Sequence, residues 1–152
     1  MGRQIHVDLE RTIPAAPARV HAALADYRGR ERLLPASYLD YRVEEGGEGG
    51  GTVVSYRLRA GRRERPYRVE VSEPTPGVTL VERDRDSSLI TTWILSPTAS
   101  GTATDLRVST IWEGHGGIGG FFERTFAPRG LRRIHGELLD NLTRRVGAEP
   151  SL

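Results

Sequence analysis

The chain has 152 residues, 37% of them hydrophobic, and sets 22 basic against 20 acidic side chains for a net charge of +2. That length suits one domain with a real core; the absence of cysteine excludes disulfides, thiolate nucleophiles and cysteine-built zinc sites. Every basic residue is arginine, which excludes Schiff-base chemistry by a lysine amine and accounts for a pI near 9.4 through arginine's high pKa alone.

In chain order, Ile5, Val7, Leu9 and Ile13 alternate with polar residues and predict a first strand. The period then changes. Pro14 and Pro17 stand where a helix starts, and Val20, Ala23, Leu24 and Tyr27 form its apolar stripe. A second short helix, "RERLLP", ends at Pro35.

From there the pattern has period two. Strands are expected over 37–45, 52–60, 63–73, 78–86, 87–96 and 102–113, separated by turns such as "GGEGGG", "PTPG" and "PTASG". No crossover helix interrupts them, so the sheet should be antiparallel. The segment 121–146 reads as a helix, with Phe122, Phe126, Leu131, Ile134, Leu138 and Leu142 on one broad face and Pro128 interrupting it. The order is β-α-α-β6-α, an α+β fold. Seven strands need a cover for one face, and only the last helix is large enough. A curved seven-stranded sheet wrapped around that helix, with an internal cavity between them, is the expected solution. It occupies residues 1–147 as a single domain, and 148–152 is a short tail.

The order and several phrases carry a resemblance. "IPAAPARVHAAL" holds Ile13, Pro17, Val20 and Leu24, with His21 where an aromatic often stands, and "TTWILSPTASGTATDLRVSTIWEG" resembles a paired strand and turn. The chain resembles the SRPBCC superfamily, also described as START-like, helix-grip or birch-pollen-allergen-like, and within it the polyketide cyclase/dehydrase and lipid-transport branch. Over residues 3–147 the resemblance implies the helix-grip fold. It does not single out an activity, since such proteins bind, transport, cyclise or act as cochaperones.

One motif points elsewhere. "GHGGIGGFFERTF" satisfies G-x-G-x-x-G at Gly114, Gly116 and Gly119, as a dinucleotide loop would. A dinucleotide fold needs a second strand with an acid about 20 residues on; here only a helix follows, and a phosphate loop of the lysine-bearing type is impossible. The glycines are better read as a pliable connection bordering the cavity mouth, with His115, Phe121 and Phe122 beside it. No cofactor is implied. The histidines, His6, His21, His115 and His135, lack metal-ligand spacing, so no metal is expected.

The functional hint lies in the aromatics. Alternation puts Tyr56 with Val54 and Leu58, Tyr67 with Val69 and Val71, Trp93 with Thr91 and Leu95, and Trp112 with Val108 and Thr110. These faces point at the helix and would line an apolar chamber with a few polar donors. The expected ligand-binding set is Tyr56, Tyr67, Trp93, Trp112, His115, Phe121, Phe122 and His135. The ligand is a hydrophobic small molecule, a lipid or polyketide-like aromatic, and the protein a carrier or binding protein. The competing reading is an aromatase/cyclase or dehydratase that uses His135, Tyr56, Glu82 or Arg107 as acid or base. Glu82 shares parity with Leu80 and is a candidate buried carboxylate or rim residue. Nucleic acid is not an expected partner, because arginines alternate with acids in "RGRER" and "ERDRD". The start "MGRQIHVDLE" has no apolar signal core, and no run is long enough for a membrane span. A cytoplasmic monomer or homodimer without stable membrane insertion is expected.

Overall fold

The structure is a computed structural model that describes residues 4–60, 63–113 and 128–148. Its elements are β1 (Gln4–Ile13), α1 (Pro17–Ala25), a 3₁₀ turn (Gly29–Leu33), β2 (Tyr38–Glu45), β3 (Val53–Ala60), β4 (Arg63–Ser72), β5 (Thr79–Asp84), β6 (Ile90–Pro97), β7 (Thr104–Glu113) and α2 (Pro128–Ala148). The seven strands form one antiparallel sheet in the order β1-β7-β6-β5-β4-β3-β2. Six consecutive strands therefore form a meander. β1 closes the sheet against β7, and α1 with the 3₁₀ turn carries the chain from one sheet edge to the other.

The helices cover the inner face. In α2, Leu131, Ile134, Leu138, Leu139, Leu142 and Val146 are buried against inward residues that include Val7, Leu80, Trp93, Leu106 and Val108. Each fully buried leucine contributes roughly 2 kcal/mol to this packing. Polar contacts fix the helix axially: Asn141 donates through Nδ2 to the Leu33 carbonyl at 2.9 Å, and Arg132 donates to the Asp8 carbonyl at 2.7 Å. Pro128 is the first residue of α2, the position a proline tolerates best. The expected stretch 121–127 of this helix, with the glycine run, His115, Phe121 and Phe122, lies outside the described residues.

Two boundaries differ from the sequence expectation for a local reason. β5 stops at Asp84 and β6 starts at Ile90, because a side-chain turn occupies the interval. Ser87 Oγ donates to Asp84 Oδ2 at 2.6 Å and accepts from the Leu89 N–H at 3.2 Å, while the Asp84 N–H donates to the Leu89 carbonyl at 3.0 Å. Serine and aspartate compete here with the strand ladder, as their short side chains allow.

The glycine turn after β2 does more than reverse the chain. Gly49 donates its N–H to the Ala25 carbonyl at 2.9 Å, and the Gly47 carbonyl accepts the Tyr27 N–H at 2.9 Å. The first bond satisfies a carbonyl that the end of α1 leaves open, and the second ties the residue that follows it to the turn. Gly49 sits at φ +57°, a conformation that favours glycine.

Candidate functional site

A small cavity of about 40 Å³ lies between the inner face of the sheet, the 3₁₀ turn and α2. Its walls are aromatic: Tyr27, Tyr38, Tyr41, Tyr56 and Trp93 line it, and Arg30, Glu82, Thr91 and His135 supply most of its remaining polarity.

The strand register explains the polar floor. Glu82 on β5 pairs with Thr91 on β6, Thr91 with Thr110 on β7, and Thr110 with Val7 on β1. Directly paired residues share a face of the sheet, so Glu82, Thr91 and Thr110 form one inward row. Thr91 Oγ1 lies 2.9 Å from Thr110 Oγ1, which lies 2.8 Å from His135 Nε2 on α2. Burial drives the His135 pKa down to about 4, against a smaller opposing pull from Glu82, so the imidazole is neutral at neutral pH.

Arg30 reaches the other end of the row. The turn after α1 aims it: Asp26 Oδ1 accepts the Gly29 N–H at 3.0 Å, and the Asp26 carbonyl accepts the Arg30 N–H at 2.9 Å. Its Nε and Nη2 donate to the Leu24 carbonyl at 3.2 and 2.6 Å, capping the C-terminal end of α1. Its Nη1 donates to Glu82 Oε2 at 2.6 Å, and Tyr27 Oη donates to the same oxygen at 2.6 Å. The guanidinium lies 4.2 Å from the centre of the Tyr27 ring and 5.4 Å from that of Trp93, which suits its weak hydration. The Arg30 and Glu82 side chains are only 5% and 13% exposed. Burial opposes the Arg30 charge, but Glu82, Tyr27 and Tyr41 outweigh it and hold its pKa above the ordinary value.

The tyrosine wall depends on a bulge. In a regular strand Tyr38 and Tyr41 would face opposite ways. Pairing runs Tyr38 to Leu58 and Leu39 to Arg57, then resumes at Arg42 with Ser55, and Asp40 sits at φ +53°. The irregularity brings both rings to Tyr56, with centroids 4.9 and 6.4 Å away. Burial raises the pKa values of Tyr27, Tyr38, Tyr41 and Tyr56, so all four are neutral phenols.

Of the residues expected from sequence, Tyr56, Trp93, Glu82 and His135 line this cavity. Tyr67 is buried behind Tyr56, 5.7 Å away by ring centroids, with the Arg65 guanidinium 4.4 Å from its ring centre. Trp112 is buried and borders a different hollow, beside Gln4 and Glu113. Arg107 lies on the outer face, 54% exposed and 3.5 Å from Asp8, so it is not brought to the cavity. Glu82, expected as a buried carboxylate or a rim residue, has a side chain 13% exposed and ion-paired to Arg30. Sequence reasoning missed Arg30, Tyr38 and Tyr41, and it read Tyr27 only as helix stripe. Among the described residues, no group of His, Asp and Glu side chains converges as metal ligands would.

An antiparallel sheet gripping a long C-terminal helix, with an aromatic cavity between, defines a helix-grip α+β protein. More narrowly, the chain belongs to the polyketide cyclase/dehydrase and lipid transport family of the SRPBCC superfamily, whose model matches residues 4–147. The KanY protein structure is 39% identical, with 96% of this chain and 99% of that one covered at a TM-score of 0.84. The Zhui aromatase/cyclase from Streptomyces sp. R1128 shares the fold at 16% identity, covering 95% of this chain and 94% of that one at a TM-score of 0.77. Norcoclaurine synthase from Thalictrum flavum, in complex with dopamine and hydroxybenzaldehyde, shares it at 13% identity, 99% and 91% coverage and a TM-score of 0.72. No curated protein sequence matches the chain.

Proposed function

We propose that the protein is a carrier or binding protein for a hydrophobic small molecule, a lipid or polyketide-like aromatic, held between the sheet and α2. The observation that carries this reading is the cavity wall of Tyr27, Tyr38, Tyr41, Tyr56 and Trp93. Neutral aromatic rings give a large apolar contact area at low conformational cost. In this reading the protein works without a cofactor, a metal or nucleic acid, as a cytoplasmic monomer or homodimer and as one domain over 1–147. Among the described residues no helix is long and apolar enough to cross a membrane.

A second reading, an aromatase/cyclase or dehydratase, is favoured by Glu82, Tyr56 and His135 facing one cavity. Binding remains the better account. An imidazole with a pKa near 4 is poorly matched to proton transfer at neutral pH, and Glu82 is already engaged by Arg30 and Tyr27.

The test is titration with naphthalene and with oleate, following intrinsic tryptophan fluorescence. Saturable one-to-one binding of at least one is expected. Tyr56→Ala should weaken it by about tenfold, since a buried aromatic anchor carries about that much affinity. Arg107→Gln, on the outer face, should leave it unchanged. Absence of saturable binding, or equal effects of the two variants, overturns the proposal. Turnover of a poly-β-keto thioester, abolished by His135→Leu, would favour the cyclase reading instead.

A further inference from the structure

Two buried polar atoms in the cavity wall have no hydrogen-bond partner among the described residues: Trp93 Nε1 and His135 Nδ1. Their residues are 1% and 4% exposed, their rings meet edge to face with centroids 6.3 Å apart, and both line the cavity. Leaving such groups unsatisfied is costly, and buried polar atoms in native proteins are nearly always paired. An indole N–H can only donate, whereas a neutral imidazole donates from one nitrogen and accepts at the other.

We propose that Trp93 and His135 form a specificity-determining pair that reads one ring oxygen of the ligand, a hydroxyl or a carbonyl. This rests on the binding reading above and deepens it: the ligand must carry oxygen on the part that reaches the floor of the cavity. Trp93 Nε1–H donates to that oxygen. The role of His135 Nδ1 is set from its other side by the hydroxyls of Thr110 and Thr91, spaced 2.8 and 2.9 Å along the row.

With the proton on Nε2, His135 donates to Thr110 Oγ1, which donates on to Thr91, and Nδ1 accepts a ligand hydroxyl proton. When Thr91 donates to Thr110 and Thr110 to Nε2, the proton sits on Nδ1, which then donates to a ligand carbonyl. Two threonine hydroxyls rotate, and the imidazole gives up its Nε2 proton to solvent and takes one at Nδ1 from solvent before the ligand closes the cavity. The site therefore takes a phenol or enol and a ketone in the same place, while a hydrocarbon of the same shape leaves both nitrogens unsatisfied. Excluding an analogue that lacks the expected polar group is where a buried polar site discriminates most.

The experiment compares 2-naphthol, 1-tetralone and naphthalene by calorimetric titration of the wild type, Trp93→Phe and His135→Leu. Both oxygenated ligands should bind the wild type about tenfold tighter than naphthalene, although naphthalene is the more apolar, because each good hydrogen bond made in a buried site is worth about that factor. Trp93→Phe keeps a ring and loses the N–H, so its preference should fall to near one while naphthalene affinity is retained. Retained naphthalene binding also shows that the variant folds. In long-range ¹H–¹⁵N spectra, His135 should be protonated on Nε2 with 2-naphthol and on Nδ1 with 1-tetralone. If all three ligands bind equally, or if Trp93→Phe and His135→Leu keep the preference, the pair is overturned and the binding reading survives. The same holds if the tautomer does not change. If none of the three ligands, nor oleate, binds, both fall together.

Discussion

Acidification should turn the burial of His135 into a measurable loss of stability. In the unfolded chain this histidine titrates near 6.5, and in the folded protein near 4, because burial disfavours its charged form. As pH falls below about 6.5 the unfolded state takes up a proton that the native state refuses, so stability declines until the pH reaches the folded value. Native and unfolded protein differ by about 2.5 pKa units at this site, and at about 1.36 kcal/mol per unit the full loss is about 3.4 kcal/mol. Above pH 6.5 the contribution is fully present and flat. The assay is urea unfolding at steps from pH 7.5 to 4 on the wild type and on His135→Leu, which fills similar space and cannot titrate. Carboxylates also titrate in the lower half of that range, so the quantity that decides is the difference between the two curves. That difference should change by about 3 kcal/mol between pH 7 and 4, in the direction that makes the leucine variant relatively more stable in acid. Parallel curves would refute the reasoning, because they would mean that His135 has water at hand in the folded state or leaves its site at no cost.

Two further perturbations test the frame of the cavity. Glu82→Gln leaves the Arg30 charge, 5% exposed, without its counter-ion and should cost about 3 kcal/mol, a fall in Tm of roughly 6–12 °C for a domain of this size. Arg30→Met combined with Glu82→Leu should recover part of that loss, since an apolar pair of similar volume replaces a buried ion pair at little cost. Differential scanning calorimetry that finds the double variant less stable than the single one would contradict this account. At Asp40, φ is +53°, so Asp40→Val should cost about 1–3 kcal/mol, whereas Asp40→Gly should keep the backbone and lose only an exposed ion pair to Arg57. Aromatic proton spectra give the check, because straightening of β2 would carry Tyr38 or Tyr41 away from Tyr56.

The sequence by itself determined the parts of this fold that depend on local period. Alternation over six successive segments, punctuated by glycine and proline, dictates an antiparallel meander. The 3.6-residue spacing of Leu131, Ile134, Leu138 and Leu142 dictates the helix that covers it. Inward parity also made Tyr56 and Trp93 legible as candidates before any contact was known, and His135 stood out beside Ile134 on the helix.

Three features of the site were decided only in three dimensions. Tyr38 and Tyr41 share a face because one residue adopts a left-handed conformation inside β2, and parity counting cannot anticipate a bulge. Arg30 lies in the charged stretch "RGRER" and looks like solvated surface; its burial follows from the turn that aims it under Trp93 and from Glu82 waiting on a distant strand. The row Glu82–Thr91–Thr110 exists only through strand register, which joins residues far apart in the chain, and His135 meets it only because α2 packs across that row. Periodicity is a property of neighbours along the chain and survives in the sequence. The polar floor of the cavity is a property of pairings between strands, and only the closed fold fixes those.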